Sequence, residues 1–212
     1  MYRYCSKCRK SLKACICDWI KTLSTSVELI ILQHSTEENR PMGTARILSL
    51  SLPNSRLIVG EDFSDNVELN GLLSESEVEH VILYPSEKST DIQAFKQVQD
   101  PDRRFGDEKR LRVILLDGTW KKAFKMWQVS NNLRDLTCIH LPTDLQGNYR
   151  IRKAPSSNSL STVEAGYHIL SLLEPENDFS PLLEAFDNMI EFQIKQMPPG
   201  VFEKNYLSKL SD

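Results

Sequence analysis

Five short apolar runs punctuate the chain: Val27–Leu32, Arg56–Val59, His80–Tyr84, Arg112–Leu116 and Leu136–Leu141. Each is rich in Val, Ile and Leu and nearly continuous rather than alternating, the pattern of strands covered on both faces of a parallel sheet. Helix-compatible stretches separate and follow them near Thr44–Leu52, Asp91–Gln99, Thr119–Ser130, Thr162–Leu173 and Pro181–Met197, the last stopped by Pro198-Pro199-Gly200. Alternating strands and helices predict an α/β fold built on a mainly parallel sheet. Ligands in such sheets sit outside the carboxyl ends of the strands. Those ends read Gln33-His34, Tyr84-Pro85-Ser86-Glu87, Asp117-Gly118-Thr119-Trp120 and Pro142-Thr143-Asp144, so chemistry is expected there.

A chain of 212 residues with 40% hydrophobic positions suits one domain, with room for a small appendage. No apolar run approaches the roughly 20 residues that span a bilayer, and the first residues do not read as a signal peptide. A soluble, cytoplasmic protein with no membrane partner is expected. Lys plus Arg number 26 against 29 Asp plus Glu, a net charge of −3. Their distribution is uneven. Basic residues gather in 1–21, in 103–125 and at Arg150, Arg152 and Lys153, whereas 61–79 holds seven acids and no Lys or Arg. Either the basic segments converge on one phosphate-binding face, or they are scattered solvated surfaces.

Four of five cysteines fall within thirteen residues, as Cys5-x2-Cys8-x6-Cys15-x-Cys17. In a reducing cytoplasm such crowding reads as a metal site rather than a disulfide frame. Four thiolates would close a tetrahedral Zn²⁺ and leave no catalytic water, so the role expected is structural. Iron–sulfur or redox use is the alternative. Cys138 stands alone in a predicted strand and is expected in the core. Lys7, Arg9, Lys10 and Lys13 decorate the cysteine loop, as in a basic knuckle that touches nucleic acid, or simply cap the fold. Dinucleotide-binding and P-loop glycine motifs, a Gly-x-Ser-x-Gly elbow and His-Glu-x-x-His are all absent.

The run from Val113 to Asp117-Gly118-Thr119-Trp120 reads as a strand, a turn and a helix, with Gly118 allowing a sharp turn and Thr119 capping. Trp120, Ala123, Phe124 and Trp127 share one apolar face, which predicts core packing for Trp127 and leaves Trp120 either packed or free to stack on uracil or adenine; Lys121, Lys122 and Lys125 lie opposite. Asp117, an acid at a strand end in the crevice, is either a turn cap or a reactive group. Farther on, Ser161-x-x-Glu164 is a capping box, and the basic loop before it feeds a helix N-terminus suited to a carboxylate or phosphate.

Taken together these residues resemble the DTW-domain family, the tRNA-uridine aminocarboxypropyltransferases. The resemblance rests on the four cysteines, His34…Glu37…Thr44-Ala45-Arg46, Tyr84-Pro85-Ser86-Glu87, Asp117-Gly118-Thr119-Trp120, and Arg152…Pro155…Ser161-Thr162-x-Glu164-Ala165, in family order. It departs at Ser35, where Pro is usual, and at Gly43, where Asn is. It implies a SPOUT-like fold with a knotted C-terminal cofactor site and a small four-cysteine zinc knuckle at Cys5, Cys8, Cys15 and Cys17, divided as 1–24, a catalytic body 25–200 and a tail 201–212. It also implies transfer of the 3-amino-3-carboxypropyl group of S-adenosylmethionine to N3 of a tRNA uridine, releasing 5′-methylthioadenosine. Asp117, Thr119 and Trp120 are then the expected catalytic residues. Tyr84, Pro85, Leu116, Asp117, Gly118, Arg152, Ser161, Thr162 and Glu164 are expected at the cofactor, and Arg46, Lys121, Lys122, Arg150 and Lys153 at tRNA, with a monomer or homodimer as the assembly. A SPOUT-type RNA methyltransferase and a non-catalytic zinc-containing RNA-binding module are the alternatives.

Overall fold

The computed structural model describes residues 3–98, 110–145, 147 and 160–202. Six strands form one sheet among them: β1 (Glu28–His34), β2 (Arg56–Gly60), β3 (Val78–Leu83), β4 (Thr90–Asp91), β5 (Arg110–Asp117) and β6 (Thr137–His140). Their order is β2-β1-β5-β3-β6-β4 and every pairing is parallel, as the unbroken apolar runs require. The helices are α1 (Ala45–Ser51), α2 (Val67–Leu73), α3 (Ile92–Val98), α4 (Trp120–Val129), α5 (Asn131–Arg134), α6 (Thr162–Leu173) and α7 (Ser180–Lys195). Among the described residues no helix is long and apolar enough to cross a membrane.

Period-two alternation splits the strands between two cores. Leu29, Ile31, Val81, Val113, Leu115 and Ile139 pack with α1, α6 and α7, whereas Ile30, Leu32, Ile58, Ile82 and Ile114 pack with Leu69 of α2, Met126 of α4 and Leu133 of α5. Gly166 lets α6 approach α1 closely: a Cβ there would meet Leu48 Cδ2 at 2.6 Å. Cys138 is half-buried against the second core rather than fully inside it.

Three elements depart from the sequence expectation. Helix α2 forms inside the acidic stretch, where Asn66 caps it by accepting from Leu69 N–H at 2.8 Å and only Leu69 is buried. So few buried positions leave no helical period to read. Helix α5 is a single turn, and β4 takes the two residues just before α3.

β5 lies between β1 and β3, so the chain leaving β1 turns to one side and the chain leaving β5 eventually reaches β6 on the other. The register sets Gln33 directly opposite Asp117 at the carboxyl edge. At the opposite edge Arg112, 2% exposed, donates through Nε and Nη2 to Glu28 Oε2 at 2.8 and 2.6 Å. It also donates to Leu72 O at 2.6 Å and Glu75 Oε1 at 3.1 Å. Arg110 completes the set, bridging Glu28 and Glu75.

The cysteine segment is fastened to this body. Cys8 and Ile16 belong to the first core, and the buried Lys10 donates from Nζ to Pro41 O at 2.7 Å and Gly43 O at 3.0 Å.

Candidate active site

A cavity of about 710 Å³ opens over the carboxyl ends of β3, β5 and β6. Its wall is mostly apolar, from Leu83, Tyr84, Leu116, Leu141, Pro142 and Leu160, while Ser161 and Thr162 add polar groups from the first turn of α6. The size and the mixture suit a small organic ligand with a few polar handles. The capping box expected at α6 is present: Ser161 Oγ accepts from Glu164 N–H, and Glu164 Oε2 accepts from Ser161 N–H at 2.7 Å. Thr44 Oγ1 accepts from Val163 N–H at 3.3 Å, tying the loop before α1 to the same helix start.

Asp117 sits just behind this wall, 6% exposed, its neighbours Leu116 and Gly118 lining the cavity. Oδ2 accepts from Gln33 Nε2 at 2.8 Å and Oδ1 accepts from Thr162 Oγ1 at 2.5 Å. The Thr162 hydroxyl thus spends its proton on Asp117 and turns its lone pairs elsewhere, the cavity included. Next to it, Thr119 caps α4. Gly118 serves by closeness and not by a left-handed turn: among the described glycines only Gly200 has positive φ, and a Cβ on Gly118 would come within 3.1 Å of Lys122 Cβ.

Helix α4 decides between the two readings of Trp120. Ala123 and Met126 face inward, whereas Trp120 and Phe124 are 48% and 46% exposed. Trp120 lines the cavity, and Trp127 is half-buried, stacked on Tyr84 with ring centroids 5.0 Å apart. The helix lies with its small residue, Ala123, against the sheet, which lifts the tryptophan four residues from Phe124 onto the rim. Burial is the main influence pushing the Tyr84 hydroxyl above its usual pKa.

Among the described residues, four basic side chains of 110–125 are paired within the fold. Lys122 Nζ reaches Thr36 Oγ1 at 2.6 Å and Glu37 Oε1 at 2.5 Å, Lys125 pairs with Glu61, and Arg110 and Arg112 close the far edge. Glu61 also meets His34 Nε2 at 2.8 Å; with Lys125 first and His34 second, its carboxyl is held below its usual pKa. Lys121 is exposed and makes no ion pair among the described residues. Arg46 is half-buried, and burial first, then the like charge of Arg9, disfavours its positive charge.

At the N-terminus the four thiol sulfurs lie within 4.8 Å of one another and could hold a metal ion. Cys5–Cys17 and Cys8–Cys15 sulfurs are 3.7 and 3.8 Å apart. Those are close to the edge, about 3.8 Å, of a tetrahedron with 2.3 Å metal–sulfur bonds, and all four cysteines are free of disulfides. Backbone N–H groups of Cys8 and then Lys7 pull the Cys5 thiol down to about 6, whereas burial chiefly pushes Cys17 up. Arg9 completes the turn at φ 58°, returning its N–H to Cys5 O at 3.0 Å, and its side chain pairs with Glu38. The donor set fits a closed structural site.

Of the residues expected at a cofactor, Tyr84, Pro85, Leu116, Gly118, Ser161 and Thr162 line the cavity, as do Thr119 and Trp120. Asp117 and Glu164 are buried behind it. Arg150, Arg152, Lys153 and Pro155 lie outside the described residues. Sequence reasoning missed Gln33 as a site residue. The available signal was an amide directly after the four apolar residues Leu29–Leu32, one residue before the strand ends.

A family model described as the DTW domain matches residues 2–194. The chain is 30% identical over 210 residues to mouse tRNA-uridine aminocarboxypropyltransferase 2, covering 96% of this chain and 67% of the relative. It is 26% identical over 213 residues to the Drosophila melanogaster protein of the same name, covering 97% of this chain and 80% of that one. Arabidopsis thaliana tRNA-uridine aminocarboxypropyltransferase A is 25% identical over 217 residues, 92% of this chain and 82% of the relative. No solved structure gives a significant match.

Proposed function

The chain belongs to the DTW-domain family, and from that premise we propose that it is a tRNA-uridine aminocarboxypropyltransferase that uses S-adenosylmethionine. The observation that carries this reading is the cavity at the carboxyl edge of β5, walled by Leu116, Gly118, Thr119 and Trp120, with Asp117 buried just behind, and by the first turn of α6. Its apolar sides suit an adenosyl group and its polar rim suits a charged tail. Bound there, the donor's sulfonium supplies an electrophilic carbon: the N3–Cγ bond forms as the S–Cγ bond breaks, and the electron pair stays on sulfur in neutral 5′-methylthioadenosine.

The chain's own residues do the rest. Uridine N3–H faces its Watson–Crick partner in a helix, so the base must be unpaired to react. Trp120, on the rim and half exposed, offers a face on which the splayed base stacks. Thr162 Oγ1 accepts the N3 proton as its own passes to Asp117 Oδ1, so Asp117 acts as base through Thr162 rather than by touching the pyrimidine. Gln33 and the capped start of α4 hold Asp117 in place. Orientation of this kind decides which of three sulfonium carbons meets the nucleophile, because attack needs an in-line approach at about 3–3.5 Å.

We assign Zn²⁺ to the four cysteines, as a structural ion in a module of residues 1–24 against a catalytic body of 25–200 and a tail of 201–212. The SPOUT-like fold with a knotted C-terminal edge belongs to the same reading, supported by the parallel sheet with the cavity over β3, β5 and β6. Exposed Lys121 is assigned to the tRNA backbone, with Arg150 and Lys153 as further candidates. Lys122 serves first as the strut between α4 and the loop after β1.

Incubation with unmodified tRNA and S-adenosylmethionine, followed by nucleoside mass analysis, tests the reading. A uridine heavier by one aminocarboxypropyl group supports it. A methylated uridine would instead favour the methyltransferase, and no change would favour a binding module.

A further inference from the structure

A second cavity, of about 200 Å³, lies between the cysteine turn and the loop that follows β1, and shares Glu37, Arg40 and Pro41 with the large one. Most charged groups on its wall are already answered: Arg9 by Glu38, Arg40 by Glu37, and Lys10 by two backbone carbonyls. Two buried atoms are not. Gln33 Oε1 and Arg46 Nε have no hydrogen-bond partner among the described residues, and both residues line this cavity. Gln33 is 2% exposed. Its amide cannot be turned over to relieve the problem, because the Asp117 carboxylate opposite accepts only and therefore demands Nε2. Oε1 is held facing away from Asp117.

Buried polar atoms normally find partners, and native exceptions call for a reason. Here the unanswered groups are one acceptor and one cationic donor, carried by two residues that line the same cavity. Their complement is a ligand end that carries an N–H donor beside a negatively charged oxygen. An α-amino acid head, ammonium next to carboxylate, is that chemistry. Resting on the function proposed above, we infer that the small cavity holds the α-amino and α-carboxyl groups of the aminocarboxypropyl arm, with Arg46 donating to the carboxylate and Gln33 accepting from the ammonium. The nucleoside then occupies the large apolar cavity, and the arm crosses the rim formed by Glu37, Arg40 and Pro41.

This arrangement explains how one carbon is selected. The group that moves is gripped by its distal end, and that grip need not change while the carbon leaves sulfur for nitrogen. Gln33 also ties the small cavity to the reacting side, since Gln33, Asp117 and Thr162 form one hydrogen-bonded chain ending at the large cavity's wall. Gln33 and Arg46 are thereby specificity-determining residues for the arm.

Calorimetric titration of wild type, Arg46→Gln and Gln33→Met with S-adenosylmethionine and with 5′-methylthioadenosine, which lacks the arm, tests this. Each substitution should weaken S-adenosylmethionine by about tenfold or more while methylthioadenosine stays within about twofold, which also certifies the fold. Equal weakening of both ligands, or unchanged S-adenosylmethionine affinity, overturns the proposal, as does a loss confined to tRNA affinity in Arg46→Gln. If the wild type binds S-adenosylmethionine and the variants bind it equally well, only the arm site falls. If the wild type binds neither nucleoside, the functional reading falls and takes the arm site with it.

Discussion

The two edges of one sheet treat their charges in opposite ways. At the amino edge of β1, β3 and β5, two arginines and two glutamates pair with one another, and Leu72 O accepts from Arg112 Nη1. At the carboxyl edge Gln33, Asp117 and Thr162 form a chain whose end, Gln33 Oε1, has no partner among the described residues, and two cavities flank it. The strands and the register are the same, and the use differs. Buried polar groups by themselves therefore do not mark a site; incomplete satisfaction beside a cavity does.

The sharpest way to break this contrast is at the closed edge. Arg112→Met removes a buried cation and leaves Glu28 facing the second core without its main partner. Chemical denaturation should show a loss of about 3–5 kcal/mol, with the affinity of the folded fraction for S-adenosylmethionine unchanged. Arg112→Lys should fall between the two, because one ammonium cannot supply the guanidinium's separate donors to Glu28, Glu75 and Leu72. A large change in ligand affinity would show that the amino edge takes part in the site.

A smaller effect sharpens the same point elsewhere in the closed set. Glu174, 4% exposed, accepts from Ser26 N–H at 2.7 Å, from Ser26 Oγ and from Asn177 Nδ2 at 3.1 Å. Burial, the largest single influence, pushes its pKa up, yet these hydrogen bonds together bring it below its usual value. The stabilisation is therefore present above the unfolded pKa and is lost as pH falls through the depressed folded one. Glu174→Gln should lower Tm by about 2–4 °C at pH 7, and the difference should shrink below about pH 4. A pH-independent difference would place the effect in packing rather than charge.

Much of the frame was legible because burial on both faces writes itself into strands. The five apolar runs lie within β1, β2, β3, β5 and β6 to within a few residues, and Ser161 with Glu164 announced the start of α6. Helix α2, with one buried residue, had no period to announce it. The exposure of Trp120 was hidden for a different reason. Its spacing from Ala123 and Trp127 is that of one face, but tertiary packing chose Ala123 and Met126 as the contact line and left Trp120 on the rim. Basic clustering left two readings open for a similar reason: Arg110, Arg112, Lys122 and Lys125 find their acids in distant segments of the chain. Gln33 became informative only once the register set it against Asp117.

The most direct test of the open edge is a single-turnover assay of Asp117→Asn with donor bound and tRNA in excess. If Asp117 takes the uridine proton through Thr162, product formation should fall by about 10²-fold or more while 5′-methylthioadenosine still binds and the protein still melts cooperatively. A near-normal rate with the same binding would contradict the account.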